Sequence, residues 1–437
     1  MSTFSVEEVY TRSTHQAVAL FGCEGGRVAL AVRPTSSPLF GGFPYPALAD
    51  MEGEVHAAAT RIWPQLQGKT LVTAGAWDTP PFTPHRRHVT ALLAEVADDT
   101  PGLVFPAEVL EQWRQGQVYL DTPTRLVLEA LADVDSTSLE KKAAAIQARL
   151  DAADPHPRGG LLASLPLQLS PGLAVLPLRT PTLPPATHTN CYLLGENEIL
   201  IVDPASPHPA EQARLDELIT SLGAQGRQVV GIFLTHHHID HVGGAEHLRR
   251  KHLLPIYAHP ITAERVADHL DVDETLVEGD TLPLAGQDLT CLFTPGHAPG
   301  HLCLYSPRQK FLVAGDMVAG WGSIVVEPGD GDMASYLHQL ERLAALEPRL
   351  TLPAHGPPQV PGAGVLMSHH HHRKVREGQI ITLLRQRAHS PAELVAHMYQ
   401  DVPQFLHPLA ERAVLAHLIM LQREERALER AGIWYWQ

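Results

Sequence analysis

The sequence predicts an α/β protein whose largest part is an αββα sandwich, in which two sheets lie between outer layers of helix. Two observations predict this class. Between about Leu173 and His355, short apolar runs typical of buried strands alternate with amphipathic, helix-like segments. Histidine and aspartate cluster where several of these runs end. The flanking regions differ in composition, so we predict three domains, at residues 1–151, 161–367 and 368–437.

The composition is that of a soluble globular protein, with 437 residues, 44% hydrophobic and 19% charged. The formal net charge is −15, which does not favour general affinity for nucleic acid. The four cysteines lie in or beside apolar runs without C-x-x-C pairing, a pattern typical of buried thiols in a reducing compartment. Because the sequence also has no bilayer-spanning apolar stretch and no leader pattern, we predict a cytoplasmic protein without a membrane segment.

The first region begins with two predicted strands, 16–21 and 27–33, around a Gly25-Gly26 turn, and continues with a helical stretch at 54–63. Later elements are predicted at 89–96, at 109–113, from Pro123 onward and, as an alanine-rich linker helix, at 139–152. This order resembles a Nudix domain, which implies an α+β fold.

Nudix chemistry needs a helix rich in carboxylates, because Mg²⁺ on a diphosphate is held by acidic oxygens. Laid on residues 61–68, the family pattern matches only at its two ends. Pro64 would interrupt the helix, and residues without a carboxylate stand where acids are expected, namely Ile62, Gln65 and Leu66. We therefore predict a degenerate Nudix-like domain that acts as a recognition or docking module, or that only packs against its neighbour, although Glu52 and Glu54 remain nearby.

The central region contains the main chemical signal. The apolar run 229–234 predicts a buried strand, and His236, His238, Asp240 and His241 follow it directly. A solvated turn could also collect histidines, but imidazole and carboxylate at a strand end are typical metal ligands. Three further strand-like runs end in the same chemistry, at His297, Asp316 and His355.

The order His-x-His-x-Asp-His after an apolar strand, with those three later residues, resembles the metallo-β-lactamase superfamily. The resemblance implies that His236, His238 and His297 hold one metal, that Asp240, His241 and His355 hold a second, and that Asp316 bridges both. It further implies two zinc ions, with manganese or iron as alternatives, and a hydrolase that attacks with a metal-bound hydroxide. We assign Asp240 a catalytic role as well.

Several neighbours of these residues are predicted to support the site or to face away from it. Asp203 stands where the family has an Asp that supports the metal loop by hydrogen bonding. His237 is expected to point away from the metals, and His259 and His301 are expected to be supporting or surface residues. The run 369–372 is interpreted as the solvated start of a helix.

The last region predicts three helices, at 373–386, from the N-cap Ser390, and at 409–429, followed by Gly432 and an aromatic end. It resembles the winged helix of metallo-β-lactamase proteins of the β-lactamase-like protein 2 type, whose members cleave single-stranded RNA. The region could contact RNA, or it could only pack and shape the substrate cleft.

The substrate class stays open between alternatives. Two metals can promote attack on a phosphodiester, a thioester or a lactam. The winged-helix resemblance favours cleavage of single-stranded RNA, whereas the acidic net charge favours a small acyl thioester, as in glyoxalase II or acyl-CoA hydrolases. A non-catalytic metal-binding scaffold is a third hypothesis, and a homodimer is possible.

Overall fold

The computed structural model describes residues 15–32, 44–45, 47–50, 58–60, 63–79, 87–153, 166–284, 287–400 and 402–437. Within these ranges the chain forms an N-terminal mixed sheet, a sandwich of two sheets, and a helical region that ends in a hairpin. Among the helices in the described ranges, none combines the length and apolar character needed to cross a bilayer.

The N-terminal sheet has the order β6-β7-β1-β2-β8, with β5 also beside β1. Its strands are β1 (His15–Glu24), β2 (Arg27–Ala29), β5 (Ala47–Asp50), β6 (Leu71–Asp78), β7 (Arg87–Glu95) and β8 (Leu103–Val104). Two further strands, β3 (Ala31–Val32) and β4 (Pro44–Tyr45), pair with each other in a separate two-stranded sheet. Three helices follow, α1 (Pro106–Arg114), α2 (Thr122–Asp133) and α3 (Leu139–Ala153). The helix predicted at 139–152 is thereby confirmed, and α3 packs against α2 and β6.

The helix predicted at 54–63 is described only in part. Residues 58–60 are helical, and a 3-10 helix, Pro64–Leu66, begins at the proline that was expected to interrupt the helix. Such a start suits proline, which has no amide hydrogen to donate. The rest of the segment, with Glu52, Glu54 and Ile62, lies outside the described residues.

The sandwich consists of a seven-stranded sheet, β15-β14-β13-β12-β11-β10-β9, and a five-stranded sheet, β16-β17-β18-β19-β20. The first sheet contains β9 (Leu167–Ser170), β10 (Leu173–Arg179), β11 (His188–Leu194), β12 (Glu198–Val202), β13 (Gln228–Phe233), β14 (Ile256–Ala258) and β15 (Glu274–Thr275). The second contains β16 (Thr281–Leu284), β17 (Gln287–Phe293), β18 (Leu302–Ser306), β19 (Phe311–Ala319) and β20 (Leu350–His355).

Helices cover the outer face of each sheet. The sandwich helices are α4 (Pro209–Ala224), α5 (Ile239–Val242), α6 (Ala245–His252), α7 (Pro260–Val266) and α8 (Met333–Ala344). Apolar residues of α4, α6 and α7 pack on the first sheet, whereas α8 packs on the second. A separate apolar layer, which includes Phe233 and Phe311, fills the space between the sheets. The predicted αββα class is confirmed.

The C-terminal region differs from the prediction in its boundaries. Helix α9 (Gly362–Gln386) crosses the predicted domain boundary at 367/368. Helix α10 (Pro391–Met398) starts at the predicted cap, where Ser390 and Glu393 form a capping box. Helix α11 (His407–Arg423) ends before Glu429, because the chain turns into a hairpin of β21 (Ala427–Arg430) and β22 (Ile433–Trp436). In β22 the Trp434 side chain is buried against the helices.

The interpretation of residues 369–372 as a solvated helix start is wrong. These residues lie well inside α9, and His369 is buried. Its Nε2 donates to the carbonyl oxygen of Ala319 at 3.0 Å. The apolar face of the helix begins at Leu366, one turn before the histidines, so His369 continues the buried face towards β19.

Candidate metal centre

The sandwich brings all seven predicted site residues to one edge, where strands of both sheets end. His236 and His238 follow β13, and α5 carries the next two, Asp240 and His241. The remaining three come from the second sheet and follow or lie in β17, β19 and β20, namely His297, Asp316 and His355. Within this set the ligand atoms fall into overlapping groups of three, each within 4.8 Å, consistent with a dinuclear site.

Three imidazole nitrogens converge in the first half of the site. His238 Nδ1 lies 2.9 Å from His236 Nε2 and 3.0 Å from His297 Nε2. The other ring nitrogen of each residue has a partner that accepts a hydrogen. His297 Nδ1 donates to the carbonyl of Val325 at 2.7 Å, and His238 Nε2 donates to Asp330 at 2.9 Å.

The tautomer of His236 is fixed in the same way. Thr235 Oγ1 donates its hydrogen to Asp203 Oδ2 at 2.7 Å. The hydroxyl oxygen of Thr235 therefore accepts from His236 Nδ1 at 3.0 Å. All three converging nitrogens therefore present lone pairs to one another. Lone pairs at this distance repel unless a cation lies among them, so the arrangement fits a bound metal.

The second half of the site combines imidazoles and carboxylates. His355 Nε2 lies 3.4 Å from Asp316 Oδ1 and 3.5 Å from Asp240 Oδ2. His241 Nε2 lies 3.7 Å from the same Asp316 oxygen, and His297 Nε2 lies 3.4 Å from the other, Asp316 Oδ2. Asp316 thus faces ligands of both halves, which is the position predicted for a bridge.

Two buried polar atoms at the centre have no partner among the described residues, His241 Nε2 and Asp316 Oδ1. Such atoms cost free energy unless something binds them. A metal ion would satisfy both. The donor set of imidazole nitrogens and carboxylate oxygens, without a thiolate, suits zinc, manganese or iron.

Asp203 supports the site as the sequence predicts. It follows β12 with a positive φ of 49° and is buried. One carboxylate oxygen accepts from the backbone nitrogen of Thr235 at 2.8 Å, and the other accepts from His241 Nδ1 at 2.8 Å. This bond orients the Nε2 of His241 towards Asp316.

His301 supports Asp316 from below and is not among the converging ligands. Its Nε2 accepts from the backbone nitrogen of Asp316 at 3.1 Å, and its Nδ1 contacts Thr294 Oγ1 at 2.8 Å. Gly315 makes this approach possible, because its φ is +48° and a Cβ there would lie 2.5 Å from His301 Nε2. His259 caps α7 and stacks on Phe293, so it also has a structural role.

The electrostatics differ between the two halves. Burial lowers the pKa of His297 to about 4, and it also lowers the pKa of His236, so both imidazoles stay neutral at pH 7. Burial opposes charge on His241 as well, yet the carboxylates of Asp203 and Asp316 raise its pKa well above the usual value. Without metal, a proton therefore occupies the half that the carboxylates surround, and metal binding would displace it.

A cavity of about 340 Å³ opens over the centre. Its walls are largely apolar and include Leu183, Ile239 and Trp321. Leu183 and Ile239 are 47% and 52% exposed, so two large apolar side chains face water at this cavity. The one arginine or lysine among the described lining residues is Arg412, which pairs with the acid Glu327 at 3.0 Å.

The structure also reveals contacts that sequence reasoning missed. Asp330 accepts from His238, lies 3.5 Å from His237 Nε2, and pairs with Arg265 at 3.0 Å. His237 thus points to the rim, away from the converging nitrogens, as expected. Asp330 lies in a glycine-flanked turn 92 residues after His238, and no local pattern links the two. Similarly, the amide of Asn190 donates to the backbone of the loop around His355.

Comparison with known families matches two parts of this chain. Residues 184–355, which contain all seven site residues, match the metallo-beta-lactamase superfamily. Residues 390–434 match the beta-lactamase associated winged helix domain. The chain therefore contains a hydrolase domain of the metallo-β-lactamase superfamily. These matches confirm the superfamily and winged-helix predictions, and the Nudix resemblance of the first region stays a prediction.

Individual members of the superfamily are distant relatives. The chain is 29% identical to the lactamase-like protein vrtG of Penicillium aethiopicum over 60% of this chain and 83% of that protein. It is 31% identical to an atrochrysone carboxyl ACP thioesterase of Aspergillus fumigatus over 38% of this chain and 50% of that protein. It is 28% identical to a beta-lactamase-like protein 2 homolog of Drosophila melanogaster over 54% of this chain and 82% of that protein.

Among solved structures, a β-lactamase domain protein from Burkholderia ambifaria superposes with a TM-score of 0.56 at 22% identity. The superposition covers 65% of this chain and 96% of that protein. At this identity the likeness shows the fold of the metallo-β-lactamase superfamily and nothing about substrate.

Proposed function

We propose that this metallo-β-lactamase superfamily hydrolase cleaves an acyl thioester. The observation that carries the proposal is the apolar cavity over the site, with exposed Leu183 and Ile239 at its walls. An acyl group would cover these side chains and remove them from water. A relative that is 31% identical is named as an ACP thioesterase, which supports the same class.

Cleavage of single-stranded RNA is the second candidate. It is supported by the winged helix domain and by the similarity to a beta-lactamase-like protein 2 homolog. The charge around the site supports it less, because an RNA strand needs a cationic track for its phosphates. Arg412, the one arginine or lysine among the described residues that line this cavity, is paired with Glu327.

In this proposal all seven site residues hold two metal ions. His236, His238 and His297 would bind one, Asp240, His241 and His355 the other, and Asp316 would bridge them. When bound, the metals supply an acidified water and positive charge for the anionic transition state. Asp240 also lines the cavity. Despite burial, which opposes ionisation, His241 and His355 keep its pKa below the usual value, so its carboxylate is available to accept a proton.

Metal analysis tests the first part of the proposal. We expect about two metal ions per chain in protein purified without added metal, zinc by default. A His236→Ala/Asp316→Ala variant removes one ligand of the first metal and the bridge, so its metal content should fall sharply. Wild-type protein with less than one metal per chain, together with unchanged content in the variant, would support the scaffold hypothesis instead.

Parallel substrate assays test the second part. The full chain would be incubated with acyl-CoA and glutathione thioesters and with labelled single-stranded RNA, beside the Asp240→Ala variant. We expect thioester turnover that the variant loses by at least about a hundredfold. RNA cleavage that depends on Asp240, with no thioester turnover, would replace the first candidate by the second.

For the N-terminal region we propose a Nudix-like module without Nudix catalysis. The sequence supports this, because Ile62, Gln65 and Leu66 offer no carboxylate for Mg²⁺. We expect the full chain with Asp240→Ala to leave nucleoside diphosphate sugars and dinucleoside polyphosphates intact in Mg²⁺ or Mn²⁺. Turnover that Glu52→Gln or Glu54→Gln abolishes would contradict the proposal.

A further inference from the structure

A second cavity, of about 500 Å³, lies between the sandwich and the winged helix domain. It shares one wall with the cavity over the metal centre, formed by Pro184, Pro185 and residues 323–325. Its opposite walls come from α9 and α11 and from Tyr399, Val402 and Leu406 between the last helices. The two cavities are therefore neighbours that share these two short segments as a wall, so a ligand longer than an acyl group can reach from one to the other.

Arg373 of α9 lines this second cavity and is only 2% exposed. Its Nη2 donates to the carbonyl oxygen of Ile324, and its guanidinium carbon lies 5.6 Å from the centre of the Tyr336 ring. Its Nε has no hydrogen-bond partner among the residues that the structure describes. No ion pair joins Arg373 to any carboxylate within the described ranges, and the acid one turn away, Glu377, pairs with Lys374 and Arg426 instead.

A second arginine, Arg376, lines the same cavity one turn away. It stacks on Tyr399 at 4.2 Å and donates to the carbonyl of Met398 at 2.9 Å. Its buried Nε also has no hydrogen-bond partner in the described part of the chain. Burial, reinforced by Arg373, lowers the pKa of His369 and that of His372 to about 4, so these lining imidazoles are neutral at pH 7. The two arginines therefore carry the positive charge of the cavity.

The remaining walls are mainly apolar, and none of the described residues that line the cavity is acidic. They include Val402, Leu406, Leu409 and Ala413. A buried guanidinium without a counter-ion is costly, and an anionic ligand removes that cost. Arginine is suited to phosphate because its planar donors match two phosphate oxygens. The cavity therefore fits a phosphate joined to a less polar group.

We infer that the Arg373–Arg376 cavity is a subsite for the phosphate of a pantetheine thioester. This inference rests on the proposed thioester hydrolysis and deepens it. With the thioester bond at the metal centre, the pantetheine arm would pass the shared wall at residues 323–325 and place its phosphate at the two guanidiniums. The phosphate can belong to a CoA thioester or to the same arm attached to a carrier protein, since both contain the 4′-phosphate.

Binding of two matched probes tests the subsite directly. Pantetheine and 4′-phosphopantetheine both carry the thiol, and they differ only by the phosphate. We expect the metal-loaded full chain to bind 4′-phosphopantetheine more tightly in calorimetry. Arg376→Gln and Arg373→Gln should each weaken that binding by roughly 10- to 100-fold, the usual range for loss of a charge-assisted hydrogen bond, and leave pantetheine unaffected. Equal affinities for both probes in wild-type protein would overturn the inference.

Arg385→Gln is the matched control. Arg385 lies on the same helix, is exposed, and contacts Trp436 away from the cavity. This variant should keep the preference for the phosphorylated probe. Because Arg373 is buried, its variant could lose stability, and thermal melting identifies that case. Arg376→Gln then decides the question, and an unchanged preference in a folded Arg376→Gln protein would contradict the subsite.

Kinetics separate a binding role from a structural one. In Arg376→Gln we expect KM for an acyl-CoA to rise about tenfold or more with kcat nearly unchanged, while KM for the acyl-pantetheine thioester stays the same. Comparison of acyl-CoA with an acyl phosphopantetheine arm on a carrier protein identifies the source of the phosphate. Equal loss on the acyl-CoA and acyl-pantetheine thioesters would show that Arg376 only supports the fold.

The outcomes distinguish this inference from the proposed function. Phosphate-dependent binding that needs the arginines, without turnover of any thioester, would contradict thioester hydrolysis but keep the subsite. Thioester turnover without a phosphate preference would contradict the subsite but keep thioester hydrolysis. RNA cleavage that weakens in Arg373→Gln and Arg376→Gln, without binding of 4′-phosphopantetheine, would assign the cavity to a nucleotide phosphate and overturn the pantetheine inference.

Discussion

At the scale of single residues, hydrogen-bond acceptors behind the ligands decide what the site can bind. Each candidate ligand histidine has one ring nitrogen committed to a threonine, a carboxylate or a carbonyl, and its other nitrogen faces the centre. Asp203 is central to this arrangement because it binds both Thr235 and His241. The ligands alone would leave the tautomers undefined.

Asp203→Asn tests this supporting role. The substitution keeps the shape but replaces one acceptor by an amide NH₂, which cannot accept from Thr235 or His241. We expect metal affinity to fall about 10- to 100-fold in competition with a chromophoric chelator. Asp216→Asn, in an acid that binds Lys251 and His252 away from the centre, is the control and should retain affinity. An unchanged affinity in Asp203→Asn would contradict the role.

His417 makes stability depend on pH. It is 1% exposed, and neither ring nitrogen has a hydrogen-bond partner within the described ranges. Burial, with additional repulsion from Arg373, Lys374 and His372 of α9, lowers its pKa from 6.5 to about 3. Below pH 6.5 the imidazole of His417 therefore binds a proton in the unfolded chain but not in the folded chain. The contribution of neutral His417 to the free energy of unfolding is complete above pH 6.5, and it is lost as the pH falls from 6.5 towards 3.

His417→Leu should flatten this pH dependence. Between pH 6.5 and 4.5 we expect the wild-type free energy of unfolding to fall by roughly 2 kcal/mol more than that of the variant. Urea unfolding at a series of pH values gives the difference directly. Parallel pH profiles for the two proteins would show that His417 accepts a proton in the folded state.

At the scale of elements, α9 and α11 join the winged helix domain to the sandwich. Leu366 of α9, with Ala416 and Met420 of α11, packs into the same apolar cluster as β19 and α8. The winged helix domain therefore shares part of its core with the catalytic domain. This shared core also fixes the walls of the cavity that contains Arg373.

Met420→Ala measures this contact. Met420 is 5% exposed, so truncation should cost about 2–5 kcal/mol of unfolding free energy. Met367→Ala, at a position that is 44% exposed, should cost less than about 1 kcal/mol. Denaturant unfolding of both variants provides the comparison. Equal small losses would indicate that the two domains are only loosely associated.

At the scale of the whole molecule, the N-terminal region and the sandwich share one apolar cluster. Trp113 of α1 contributes to it and donates from Nε1 to the carbonyl of Leu169 at 2.9 Å. Tyr119 donates to the carbonyl of Gln309 at 3.2 Å. These contacts position the first region against β9 and the β18–β19 turn, away from the residues that form the metal centre.

Trp113→Ala should weaken this docking without changing the metal centre. We expect a loss of about 3–5 kcal/mol in unfolding free energy, because a buried indole and its hydrogen bond are removed. Metal content per folded chain should stay at the wild-type value. Arg114→Ala, at an exposed neighbour, controls for the substitution itself. A loss of metal in folded Trp113→Ala protein would show that the first region shapes the site.

The sequence alone indicated most of the elements and the candidate ligands, because both are encoded locally. Strand and helix periods fall within windows of a few residues, and His236 to His241 stand in one short motif at a strand end. For the same reason, two helix boundaries predicted from the sequence were wrong. Helix α9 begins earlier than predicted, because its buried face extends back through Leu366. At 424–430 a hairpin replaces the last predicted helical turns.

Only the tertiary structure decided which distant residues meet. Asp330 reaches His238 across 92 positions, and Arg373 meets the loop at Ile324 across 49. Neither contact has a sequence period, since each depends on how helices pack on the second sheet. The same packing buries His369 and His417, which composition alone would place at the surface. The ligand motif thus follows from local chain order, whereas its supporting contacts and the arginine cavity follow from long-range packing.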